Sequence, residues 1–367
     1  MCERDGDPPF AECSFIRRLC VLGAGIGLDV FAFAPWTWEP ADDTVKGWSW
    51  SERSGRWVTA RKTAPGVVYD RAWPGTAEER NRCESAIRRL REARRFAFLN
   101  GRLPHKAKVQ AALARDAALA AVLPPTSLYR GAPSLASWLR KHRRAAFLKP
   151  VGGSQGKRVI AVLPEGGAAV RLTGRDANNR PLSRRFASEA DAVKRLERWI
   201  GRRGYLMQPM LDLVGSLGEP YDLRVLTQKN ERGRWAITGV AARLGAPGSV
   251  TSNLHGGGTA APAEETLRSL FGERRGRELL EAVRDYSFKI VACLEQSFGR
   301  FAEIGLDFGI ERNGKLWFLE ANSKPGRAAM DSAGRESAYA AAMRPLSYAR
   351  SILLRPPGRV IHEFDHV

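Results

Sequence analysis

The sequence predicts a mixed α/β (α+β) fold of two or three packed units, on three observations. Runs of period-two or continuous apolar character alternate along the chain with runs of helical spacing. A glycine-rich turn stands between two strand runs near residue 153, and an Asn-Gly turn joins two more near residue 313. The 367 residues also exceed what one core usually holds, since single cores stop growing near roughly 250–300 residues.

Residues 1–18 mix charge, Pro and Gly and read as a loose leader. The run Gly23-Ala24-Gly25-Ile26-Gly27 lacks the spacing of a dinucleotide-binding turn, because Leu28 stands where the third glycine would open a helix. Residues 31–34 read as a buried strand. Trp36, Trp38, Trp48, Trp50, Trp57 and Trp73 follow among turn residues, with a hairpin over 45–50 and 56–59 and a strand over 66–70. Aromatic clustering of this kind reads as core. The spacing of Ala86, Ile87, Leu90 and Ala93 predicts a helix over 77–95 with a basic outer face.

An alanine-rich helix over 105–119 and a second over 133–144, with Ser134 as N-cap, lead into a strand over 145–150 that carries Lys149. The turn Gly152-Gly153-Ser154-Gln155-Gly156-Lys157 and a strand over 159–163 follow. Such a turn lets backbone N–H groups approach phosphates, with Ser154 and Lys157 as further donors. It is no Walker A loop, because the G-K-[ST] ending is missing and a strand follows. A strand over 168–173, a helix over 188–202 and an apolar strand over 205–211 come next. Residues 221–227 alternate with period two, placing Asp222 and Arg224 on one face, and 235–243 do so again, ending in Arg243. A glycine-rich loop over 245–258 contains Asn253 and His255. A long helix over 277–298 precedes the hairpin of 301–310 and 315–319, and a last helix covers 338–353.

That hairpin carries the chemistry. Asp307 lies within its first strand, and Glu320 and Asn322 close its second. Three hard oxygen ligands without His or Cys suit Mg²⁺, which takes its remaining ligands from water and from nucleotide phosphates. Removing Asp307 and Glu320 together is therefore expected to abolish stabilisation by Mg²⁺-ATP while leaving the apo fold intact.

The formal charge of +20 predicts attraction to polyanions or acidic substrates. No helix-turn-helix, zinc-finger or RNP pattern stands beside it, so the charge does not single out nucleic acid. Five scattered cysteines without a C-x-x-C pair support neither a disulfide framework nor a zinc site, and point to a reducing cytoplasm. No run has the length of a membrane span, and the opening residues do not read as a signal peptide.

Taken together, the strand lysine before a glycine-rich turn, the two strand arginines, the Asn/His/Gly loop and the closing Asp…Glu-x-Asn hairpin resemble the ATP-grasp superfamily. The closest likeness is to its YheC/YheD branch, associated with bacterial endospore coats. The matching strings are VVYDR (67–71), FLKPVGGSQGKRV (147–159), MQPML (207–211), YDLRVLTQKNERGRWAITGVAARLG (221–245), SVTSNLHGGG (249–258) and EIGLDFGIERNGKLWFLEANSKPGR (303–327). The E-x-N-S-x-P-G ending is also similar to that of ribosomal-protein glutamate ligases.

The resemblance implies an ATP-grasp fold with an N-terminal α/β pre-ATP-grasp domain over 1–98, a central lid subdomain over 99–206, a C-terminal subdomain over 207–345 and a tail over 346–367. It implies that Lys149 and Lys106 hold the α/β-phosphates of ATP under a lid of Gly152, Gly153, Ser154, Gln155 and Gly156. Gln208 and Met210 would line the adenine. Asp307, Glu320 and Asn322 would bind two Mg²⁺, and Arg224, Arg243 and Asn253 would serve the γ-phosphate. The implied reaction joins a carboxylate to an amine or similar nucleophile through an acyl phosphate, with a peptide or acidic polymer as one candidate partner. Lys324 and Arg327 would steer such an anionic chain end. The alternative is a non-catalytic, ATP-binding structural protein of the spore coat. One position departs from the family pattern: Arg158 stands where the lid carries a further glycine.

Overall fold

The computed structural model describes residue 8 and residues 10–142, 145–153, 156–246, 248–249, 251–252 and 257–354, and the predicted α/β (α+β) class holds. Among the described residues the strands gather into four sheets, and no helix is long and apolar enough to cross a membrane.

The leader reading needs correction, because Cys13–Ala24 is a helix. Ile16, Leu19, Cys20 and Gly23 recur at helical spacing and are buried, which the charged residues around them obscured. This helix packs beside an antiparallel sheet of Ala32–Phe33, Thr44–Ser51 and Arg56–Thr63. Tryptophans of that sheet are core as expected: the Trp50 and Trp57 rings meet edge-on at 5.6 Å, and Phe10 meets Trp57 at 5.0 Å. Helix Ala77–Ala93 starts at Thr76, whose side chain accepts the Glu79 N–H at 3.1 Å.

The single helix expected over 105–119 is two, Lys106–Leu113 and Ala117–Ala120. The Asp116 carboxylate accepts the backbone N–H groups of Ala118 and Leu119, at 2.8 and 3.1 Å, and so restarts the helix. In the helix Ala132–Lys141 the N-cap is Gly131, not Ser134, whose hydroxyl instead bonds the Gly131 carbonyl at 2.7 Å.

An antiparallel six-stranded sheet follows, in the order Pro181–Phe186, Val170–Arg175, Ile160–Pro164, Ala146–Pro150, Tyr205–Gln208, Ser127–Leu128. The turn between its Ala146–Pro150 and Ile160–Pro164 strands holds Arg158 at φ 60°, so this position does require the left-handed backbone that glycine adopts freely. Arg158→Gly should therefore raise the midpoint of thermal unfolding, by a stabilisation of about 1 kcal/mol. An unchanged or lower midpoint would mean that the arginine side chain repays its backbone strain.

The second large sheet is also antiparallel, in the order Thr259–Pro262, Trp235–Leu244, Tyr221–Lys229, Glu303–Ile310, Leu316–Asn322. Leu223, Val225, Ile304, Leu306 and Phe308 pack on one face against Val283, Ile290 and Leu294 of helix Glu273–Phe298, forming the largest core. Alternation along the strands puts Asp222, Arg224 and Asp307 on the opposite face.

Candidate active site

The hairpin Glu303–Ile310 and Leu316–Asn322 turns at Gly314, with φ 81°, whose N–H donates to the Glu311 carbonyl at 2.7 Å. Asn313 contributes through its side chain, which accepts the Lys315 N–H at 2.9 Å. From the turn, Phe308 pairs with Phe318 in register. The register then shifts, so that Asp307 pairs with Glu320 and Gly305 with Asn322.

Leu319 is the extra residue of this bulge, and its effect is to change the strand's phase. Strict alternation would keep Glu320 and Asn322 on the face of Leu316 and Phe318, in the core. With the bulge, Ala321 instead packs on that core, and Glu320 and Asn322 join Asp307 on the other face. Directly opposed side chains lie about 4.5–5.5 Å apart at Cβ. The Leu319 carbonyl, displaced from regular pairing, accepts Lys149 Nζ at 3.2 Å.

Cations surround these oxygens. Arg224 grips Asp307 with two bonds, Nε to Oδ1 at 2.5 Å and Nη2 to Oδ2 at 3.0 Å. Arg243 Nη2 reaches the same Oδ2 at 3.0 Å while Arg243 also pairs with both oxygens of Asp222 at 2.6 Å. Each arginine makes a cross-strand ion pair, and the two converge on Asp307. Burial alone would lower the Arg243 pKa, but Asp222 and Asp307 outweigh it and raise it further. Ser252 donates to Asp222 Oδ2 at 2.5 Å, which ties the loop leading to residue 253 into the same network.

Lys106 pairs with Glu320 at 2.8 Å, and Asn322 Nδ2 donates to Glu320 Oε1 at 3.1 Å, directing the Asn322 carbonyl oxygen elsewhere. Burial works to raise the Glu320 pKa, yet Lys106 and Lys149 hold it well below the usual carboxylate range. Lys149 is itself buried, and burial together with Lys106 lowers its pKa to about 8 against the pull of Glu320 and Asp307.

One cleft between the two large sheets gathers Lys106, Lys149, Gln208 and Glu320. Gln208 is buried and donates to Thr126 Oγ1 at 2.8 Å, and Gln110 donates to the same hydroxyl at 2.5 Å. Met210 lies just past the strand and is exposed. Gly152, Gly153 and Gly156 form the turn beside Lys149, with Gly153 and Gly156 at positive φ. Ser154, Gln155 and Asn253 lie outside the described residues.

Sequence reasoning missed Gln110 and Thr126, which stand in no motif, and gave Asp222 only a place on the face of Arg224. It also misread two cations. Arg327 pairs with the fully buried Glu303, and Lys324 pairs with Asp70 at 2.8 Å. Both are neutralised within the fold, so neither is available to steer an anionic chain.

The donor set fits Mg²⁺. Two opposed carboxylates and an amide oxygen share one face, and the described residues hold no cluster of three or more His, Cys, Asp or Glu that would cage an ion. Such a partial set suits a metal that arrives with phosphates and keeps some of its waters.

The chain is similar to known proteins. Residues 95–352 match the model of a family described as YheC/D like ATP-grasp. The chain is 28% identical over 324 residues to the endospore coat-associated protein YheD of Bacillus subtilis (strain 168), covering 87% of this chain and 70% of the relative. It is 26% identical over 319 residues to the endospore coat-associated protein YheC of the same organism, covering 86% of each. Among solved structures, D-cycloserine synthetase DcsG aligns with a TM-score of 0.50 at 14% identity, over 92% of this chain and 94% of that one. At that identity the likeness speaks for the fold alone.

Proposed function

The chain belongs to the YheC/D-like ATP-grasp family, and from that premise we propose that it is an ATP-dependent ligase joining a carboxylate to an amine. The observation that carries this reading is the facing pair Asp307 and Glu320, with Arg224 and Arg243 on Asp307, and Lys106 and Lys149 beside Glu320 in the cleft. Lys149 and Lys106 hold the α/β-phosphates, and the strand through Gln208 and the segment to Met210 offer the adenine its backbone. Gly152 to Gly156 cover the phosphates, and Asn253 completes the γ-phosphate end. Asp307, Glu320 and Asn322 hold two Mg²⁺, which neutralise charge on the phosphates.

A carboxylate oxygen attacks the γ-phosphorus, the bond to the β,γ-bridging oxygen breaks, and ADP leaves. Arg224 and Arg243 neutralise the phosphoryl oxygens during this transfer. The amine nitrogen then attacks the acyl carbon, its C–N bond forms, and the C–O bond to phosphate breaks. Phosphate departs with the electron pair and takes up the proton that the amine loses. Water is kept from the acyl phosphate by the lid. The test is ADP release from Mg²⁺-ATP that requires both an acid and an amine. Release without either, or none with any pair, removes the ligase reading.

The coat-associated relatives support a second reading, an ATP-binding structural protein of the spore coat without turnover. The strained Arg158 in the lid favours it. Nucleotide binding without ADP release would select it. The ligase reading places the protein in the cytoplasm, the second at the spore.

Lys149 supplies a check on the nucleotide assignment. Its pKa, lowered from 10.5 to about 8 in the fold, means that the folded chain holds fewer protons than the unfolded one between those values. Stability from this group therefore rises with pH across that window. Phosphates beside Lys149 should restore the ammonium, so ATP binding near pH 8 should take up roughly half a proton and, two units lower, almost none. Calorimetry in buffers of different ionisation enthalpy reads this directly. Lys149→Ala should abolish the uptake and weaken ATP binding; uptake that persists would assign it to another group.

A further inference from the structure

A cavity of about 650 Å³ lies away from the nucleotide cleft, between the N-terminal sheet, helix Ala77–Ala93 and helix Arg335–Leu353. We propose that it binds the amine substrate, and that this substrate is an apolar α-amino acid or a short apolar peptide with a free amino terminus and a free carboxylate. The inference rests on the ligase reading and deepens it.

Three observations carry it. First, the walls are mainly apolar, among them Val68, Ile87, Phe98 and Leu346, and the volume matches that of ordinary small-ligand sites. Second, helix Ala77–Ala93 presents Arg80, Ile87, Arg88 and Arg91 to the cavity at helical spacing. Glu84 on the same face is engaged by Arg102 at 3.1 Å, and no carboxylate among the described residues pairs with Arg80 or Arg88. An apolar cavity with cations along one wall suits an apolar body ending in a carboxylate.

Third, the opposite end of the cavity is bonded to the residues that follow the metal ligand Asn322. Asn100 donates to the Ser323 carbonyl, Asp70 pairs with Lys324 at 2.8 Å, and Arg71 donates to the Pro325 carbonyl at 3.2 Å. Asp70 accepts from Ala72 N at 3.0 Å and from Arg102 at 3.3 Å as well. A carboxylate has about four acceptor positions, so one is left for an incoming ammonium. The ligand then lies with its carboxylate on the arginine face and its amine toward the acyl phosphate. A strongly acidic side chain would have to be buried against the apolar wall.

Titration calorimetry on the whole chain tests this with L-leucine, L-phenylalanine and L-leucyl-L-leucine. N-acetyl-leucine lacks the amine and leucinamide lacks the carboxylate. At least one of the first three should bind, and both blocked forms should bind about ten-fold more weakly or worse. The dipeptide against the free amino acids decides which source of this chemistry fits. Arg80→Ala with Arg88→Ala changes two exposed side chains and should weaken binding by a similar factor, while stabilisation by Mg²⁺-ATP stays as it was. Absence of binding by all three compounds, or affinity indifferent to the double variant, would overturn the proposal. Binding of the expected pattern without any ADP release would sustain the cavity assignment and remove the ligase reading instead.

Discussion

Glu320→Gln is expected to remove the stabilisation that Mg²⁺-ATP gives the folded protein, and with it ADP release, by roughly 10²–10³-fold. The change keeps shape and deletes one charge from the face that Glu320 shares with Asp307. Its structural cost is small: the Glu320 side chain is 23% exposed and its partner Lys106 is 24% exposed, so the pair is partly solvated. At a nucleotide concentration about a hundred times Kd, the wild type should gain about 2.7 kcal/mol from the ligand. Thermal unfolding with and without Mg²⁺-ATP reads the difference. A full ligand shift in this variant would mean that the metal sits elsewhere.

Asp307→Asn should behave differently, and the ion pairs overturn the expectation that the apo fold survives its loss intact. Arg224 and Arg243 are 9% and 5% exposed and share the Asp307 carboxylate. Removing one partner of a buried pair leaves an uncompensated charge, at a cost of about 3–5 kcal/mol. Chemical denaturation of the apo protein should show that loss. Adding Arg224→Met should recover much of it, because the stranded cation is then gone, while Arg243 keeps Asp222. A destabilisation below about 1 kcal/mol for Asp307→Asn alone would show that water reaches this network freely.

The two variants mark where sequence reasoning could and could not reach. Alternation in residues 221–227 predicts that Asp222 and Arg224 share a face, and the fold agrees, because the other face is buried against a helix. The turn at Asn313-Gly314 was equally legible, since local backbone chemistry fixes it. Glu320 was picked out by its motif, but alternation alone would have sent it to the wrong face. The bulge that redirects it depends on pairing between strands, which no single run of residues displays. The helix over Cys13–Ala24 was missed because its charged and small residues masked a short apolar stripe. Lys324 and Arg327 looked free because their partners, Asp70 and Glu303, are over two hundred residues away in one case and 24 in the other.

The bulge at Leu319 also bears on how faithfully the chain folds. A hairpin zipping outward from Gly314 reaches Phe308 and Phe318 before it reaches the carboxylates. If it continued without the extra residue, Glu320 would enter the layer occupied by Leu306 and Phe308. An ionised carboxylate there, without a partner, would cost several kcal/mol. The slipped hairpin is thus penalised at its second or third rung beyond the aromatic pair, and must reopen. Lys149, bonding the Leu319 carbonyl beside the bulge, holds the correct register from the other sheet. Refolding of Lys149→Met should for that reason show a larger slow phase than wild type, recording chains that paired one residue out of step.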